Sequence, residues 1–148
     1  MTGDRRIPNP IAVRRFTVVG EPDREVVLSL GKPRPDPKQP GRFRCSFLLL
    51  GAPNEGRFRV TGADAIHALQ LALDGARRAI DASGLPLTWV DEGEPGDLGL
   101  PLSAPIGFGL SFQRRVEQSI ERETGEMAGA LTTVLRERAR RRAARERG

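Results

Sequence analysis

Catalysis by this chain would have to be built from very few reactive groups. Cys45 is the single cysteine, and a thiol nucleophile needs a base beside it to form the thiolate. Its alternation with Phe43, Phe47 and Leu49 instead puts it on the apolar side of a strand, where a free cysteine behaves as a small core hydrophobe. His67 is the single histidine, which excludes an HExxH zinc site and a two-histidine acid–base pair. On the polar side of a helix it reads as a surface residue, with a pH-sensitive contact as the sharper alternative. Asp91, Glu92, Glu94 and Asp97 offer carboxylates for acid–base work or for a hard cation. Their spacing fits no EF-hand loop, and Gly93, Pro95 and Gly96 among them describe a solvated loop. Gly107-Phe108-Gly109 matches neither a Walker A loop nor a dinucleotide fingerprint. The chain reads as a non-enzyme, with no catalytic residue, no metal site and no cofactor.

Arginine supplies a different chemistry. Arg15, Arg44, Arg57 and Arg59 share outward parity on successive strands, which gathers their guanidinium groups on one sheet face as a surface for anions or nucleic acid. Val19, Val27, Leu48 and Leu50 lie on that same face, so a solvated rim is the plainer reading. The second set is Arg136, Arg138, Arg140, Arg141, Arg142, Arg145 and Arg147, opposed only by Glu137 and Glu146. That segment accounts for the whole formal net charge of +5 and leaves the body neutral. Such a run neutralises phosphates without reading sequence. It has no aromatic residue to stack on bases, and arginine near a helix C-terminus also complements the macrodipole.

The elements that must position these groups come from a chain of 148 residues, 38% hydrophobic and 29% charged, the size of one domain with appendages. One cysteine allows no intramolecular disulfide and fits a reducing, cytoplasmic setting. No apolar segment follows Arg5 and Arg6, and no run approaches the roughly 18 apolar residues that span a bilayer. Secretion and a membrane role are therefore not expected.

Val13 to Val19 alternates as a first strand and Glu25 to Leu30 as a second, joined through Gly20-Glu21-Pro22-Asp23 as a hairpin. Gly31 to Gly41 carries Pro33, Pro35, Pro37 and Pro40, which predicts an extended loop without ladder pairing. Phe43 to Leu50 and Arg57 to Val60 supply the third and fourth strands. Thr61 and Asp64 have capping-box spacing. The helix after them shows a stripe of Ala65, Ile66, Leu69, Ala72, Leu73, Ala76 and Ile80 and stops at Ser83-Gly84 and Pro86. Leu87 to Val90 is a short fifth strand, and Asp91 to Pro105 is a loop. From about Leu110 a second helical pattern carries Phe112, Val116, Ile120, Met127, Leu131 and Val134 on one side, with Gly125 as a point for a kink. Helical to the end, it would be about 55 Å long.

The predicted class is α+β: an antiparallel four-stranded meander with one packed helix, followed by a long C-terminal amphipathic helix. Its divisions are a flexible lead-in over 1–10, the α+β domain over 11–106, the amphipathic helix over 107–135 and an Arg-rich tail over 136–148, helical or disordered.

The stretch from Arg14 to about Pro101 resembles a family of small bacterial domains known only as a domain of unknown function. The residues that carry the resemblance are Leu30-Gly-Lys-Pro-Arg-Pro-Asp-Pro37, Arg44-Cys-Ser-Phe47, Gly62-Ala-Asp-Ala-Ile-His-Ala-Leu-Gln-Leu-Ala-Leu73 and Asp97-Leu-Gly-Leu-Pro101. The resemblance implies a meander-plus-helix domain and no activity, and the Arg-rich C-terminus lies outside it.

Binding therefore outranks catalysis. The expected function is a protein-interaction module in which Val116, Ile120, Met127, Leu131 and Val134 meet a protein partner or a second copy. The alternative is a nucleic-acid accessory protein held by its Arg-rich tail.

Overall fold

The period-two patterns of the first sixty residues become an antiparallel sheet in the computed structural model, which describes residues 6–101 and 106–146. Strand β1 (Ala12–Val18) turns through Val19 and Gly20 into β2 (Glu21–Leu30). The link is two residues long because Gly20 takes a φ of +86°, which a residue with a side chain resists. Three residues then bulge out of β2, since Thr17 pairs with Glu25 and Val18 with Glu21. Phe16, Val18, Val26, Leu28 and Leu30 are buried, the parity the sequence predicts.

Two further strands extend the meander. Strand β4 (Phe43–Leu50) pairs with β2 along Phe47–Leu50 and with β5 (Gly56–Gly62) on its other side. Where β2 leaves, a two-residue strand β3 (Arg34–Pro35) takes its place against Phe43 and Arg44. This corrects the expectation of an unpaired proline loop. Proline lacks a donor, but at the end of a two-residue strand one missing N–H is tolerated. The reversal between β3 and β4 is fixed by Asp36, whose Oδ1 accepts from the Lys38 N–H at 2.9 Å and whose N–H donates to the Arg42 carbonyl at 2.8 Å.

Helix α1 (Ala65–Ala82) packs on β4 and β5 through the row Ala68, Ala72, Ala76 and Ile80, all buried. Small residues in an i,i+4 row let the helix axis approach the sheet closely. A Cβ at Gly62 would lie 2.3 Å from the Ala68 nitrogen, and one at Gly75 would lie 3.1 Å from the Phe47 ring. The predicted stripe is therefore rotated: Ala68 joins it, and Ile66 is 72% exposed. The capping box also moves. Thr61 stays in β5, and Asp64 is itself the N-cap, accepting from the His67 N–H at 2.7 Å. Gly84, with a φ of +68°, ends the helix, and β6 (Leu87–Thr88) pairs with β1 at the far edge of the sheet.

A 3-10 turn (Ile106–Phe108) precedes α2 (Leu110–Arg145), a helix of 36 residues that runs without a break through Gly125. The chain divides into two compact units, Met1–Ser103 and Ala104–Gly148. Among the described residues, no helix is long and apolar enough to cross a membrane.

Candidate functional site

The reactive groups singled out by type resolve into structural contacts. Cys45 is 1% exposed, its Sγ donates to the Gly31 carbonyl at 3.3 Å, and burial pushes its thiol pKa above the ordinary value. The thiol therefore stays protonated in the core, with a backbone carbonyl and not a base as its hydrogen-bond partner. His67 is half-buried, and its Nδ1 accepts from the Ala63 N–H at 3.1 Å. Asp64 and His67 thus close the α1 N-terminus reciprocally, each side chain accepting a backbone N–H. Among the described residues, no group of three or more His, Cys, Asp or Glu side chains is placed to hold a metal ion.

The acidic loop is more ordered than its composition suggests. Asp97 accepts from the Trp89 indole N–H at 3.1 Å, and Leu98 and Leu100 are buried behind it. The Arg14 guanidinium lies 4.5 Å from the centroid of a Trp89 ring and donates to the Leu98 carbonyl at 3.1 Å and to the Gly99 carbonyl. Arg77 donates to the Leu100 carbonyl at 2.8 Å. The segment Asp97–Pro101 is therefore a latch that ties the end of this unit to β1 and α1. An apolar cleft of about 190 Å³ opens beside it, with Arg14 its one charged lining residue and already engaged.

The sheet arginines separate into two groups. Arg15 pairs with Glu25 at 2.9 Å on the β1–β2 side. Arg44, Arg57 and Arg59 instead line a polar cleft of about 150 Å³, where Lys32, Arg34 and the Ser46 hydroxyl join them. The strand register explains the gathering: Arg44 faces Arg34 across one edge of β4, and Ser46 faces Arg59 across the other. Cross-strand partners project from the same face, and diagonal neighbours come within reach of long side chains. Ile7 and Pro8 close one wall, with Ile7 buried although the sequence suggests a frayed lead-in. Among the described residues, none of Lys32, Arg34, Arg44, Arg57 and Arg59 forms an ion pair with a carboxylate. Asp36, on the turn after β3, accepts from the Thr61 hydroxyl at 3.3 Å. Lys32 and Arg34 escape the sequence reading because only the β3–β4 register brings them here. The Asp36-Pro37-Lys38 turn chemistry was the available signal.

Helix α2 carries the other predicted site residues, and none of them is buried. Ile120, Met127, Leu131 and Val134 are exposed, and Val116 is half-buried. Phe112 meets Phe108 with ring centroids 5.2 Å apart. Arg136, Arg138, Arg140, Arg141, Arg142 and Arg145 lie on the exposed last turns, where Arg142 pairs with Glu146 at 3.1 Å. Arg147 lies outside the described residues.

A family model described as "Domain of unknown function (DUF6968)" matches residues 12–102. The chain belongs to this family. The DUF6968 match runs from β1 through the Asp97–Pro101 latch, so it takes in all the cations of the cleft, while α2 lies beyond it. No curated protein and no solved structure matches the chain.

Proposed function

We propose that this protein is an interaction module whose α2 helices pair two copies of the chain antiparallel along Val116, Ile120, Met127, Leu131 and Val134. The observation that carries the reading is a 36-residue helix with no buried residue, on which Met127 is 75% and Leu131 60% exposed. A helix so polar elsewhere gains nothing from a core of its own, and Gly125 and Gly129 each cost it about 1 kcal/mol relative to alanine. Burying the stripe on a second copy offsets that cost.

Orientation follows from sequence geometry. The stripe from Val116 to Val134 has its midpoint at Gly125, and an antiparallel pair crossing there sets Val116 of one copy beside Val134 of the other. A parallel pair would set the Arg136–Arg145 run beside its own copy, and like charges at that range repel. A reducing, cytoplasmic setting belongs to the same proposal, supported by one buried cysteine.

Light scattering on a sizing column tests it. The full chain is expected to run as a dimer and an Ile120→Glu/Leu131→Glu double variant as a monomer. A full chain that stays monomeric at every concentration refutes the proposal.

One observation favours a second reading. Of the six described arginines from 136 onward, Arg142 alone is ion-paired, which leaves the others to meet the phosphates of nucleic acid. On that reading, retention of nucleic acid falls steeply with salt and is lost when residues 136–148 are removed. Retention by the shortened chain excludes it.

A further inference from the structure

The cleft on the outer face of the sheet assembles five like charges. β3 consists of two residues, and its register sets Arg34 directly opposite Arg44. Like charges at opposed positions destabilise a strand pair. Among the described residues, none of the five cations has an acidic partner. An anion bound among them would offset that repulsion.

We propose that the cleft seats a dianionic phosphate group, the phosphomonoester or diphosphate end of a small ligand. Arg44 is half-buried in its lining, between Arg34 on one neighbouring strand and the diagonal Arg59 on the other. Planar guanidinium forks from three strands suit the several oxygens of one tetrahedral group better than a single-charge ligand. Ser46, which faces Arg59, adds a hydroxyl to the same wall.

Size sharpens the class. At about 150 Å³ the cleft is smaller than the roughly 300–1,000 Å³ of sites that enclose a whole drug-sized ligand. The phosphate end enters and the remainder of the ligand stays outside. Ile7 and Pro8 wall one side, which makes a bowl of the surface. A nucleic-acid backbone, with one charge on each successive phosphate, calls for an open groove along which it can track.

Calorimetric titration of the full chain at low ionic strength, with inorganic phosphate and with pyrophosphate, tests the proposal. One site is expected, tighter for pyrophosphate. Arg44→Gln and Arg59→Gln are each expected to weaken pyrophosphate by at least about tenfold. Arg15→Gln, whose parent residue is already paired with Glu25, leaves the affinity within about twofold. Without ligand, Arg44→Gln is expected to melt at or above the parent's temperature, because it removes the contact with Arg34. That readout separates loss of binding from loss of folding.

Three results would overturn the proposal. One is an absence of binding heat with either probe. Another is an equal loss in Arg15→Gln, which marks diffuse attraction. The third is a short single-stranded oligonucleotide that loses as much affinity as pyrophosphate in Arg44→Gln, which makes the cleft a nucleic-acid contact instead.

Discussion

The Cys45 thiol is held in the core, donating to the Gly31 carbonyl, with its pKa raised by burial. An unfolded chain gives up this proton near the ordinary thiol value of about 8.5, while the folded chain keeps it. The unfolded state then binds fewer protons. The thiol's contribution to stability is complete below the unfolded value and is lost as pH rises to the folded one. With no tyrosine in the chain, few other side chains titrate in that window. Cys45→Ala is therefore expected to flatten the fall of melting temperature above about pH 8.5, at an expense near neutrality of about 1 kcal/mol. Thermal melts across the alkaline range check it, and a variant that keeps the parent's slope contradicts it. Burial of Cys45 was legible because strand parity is an alternation of two with no slack. The same alternation placed Arg44, Arg57 and Arg59 together but carried no information about Arg34, which reaches them across a proline-rich turn.

The Asp97–Pro101 latch depends on one glycine. Gly99 has a φ of +56°, and a Cβ there would fall 2.4 Å from the Trp89 ring. Gly84 has a similar φ of +68° with nothing within 4 Å, so it isolates the backbone part of the effect. Gly84→Ala is expected to destabilise by about 1 kcal/mol and Gly99→Ala by at least about 2 kcal/mol, with a change in Trp89 emission in the second variant only. Denaturant melts followed by fluorescence read both quantities, and equal losses would remove the ring contact as the cause. Sequence reading found the Asp97–Pro101 motif but took the region around it for a solvated loop. Its anchors, Arg14 and Arg77, lie far off in the chain on β1 and α1, and no local pattern joins them. The rotation of α1 has a related origin: Ala68 ranks low on any apolar scale, yet the sheet selects it for its size.

At the scale of the molecule, the meander was readable because two short links punctuated by glycine or proline, Val19-Gly20 and residues 51–55, leave the strands on either side little choice but to pair, and the alternation of β2 and β4 outlasts the longer connection that carries β3. The start of α2 near Leu110 was readable from its period, but its continuation through the Arg-rich stretch to Arg145 was not, because that stretch has no apolar period and reads equally as helix or disorder. Whether anything packs on α2 was not readable either, since an apolar stripe on a helix names no partner. Strand β5 pairs with β4 alone among the described residues, and its outer edge runs for seven residues. An open edge of that length is a template on which strands from other copies could polymerise. Arg57 and Arg59 sit on that edge, so two copies approaching edge to edge meet with matching positive charge. Charged side chains along an edge are one of the means by which sheets discourage such strand addition.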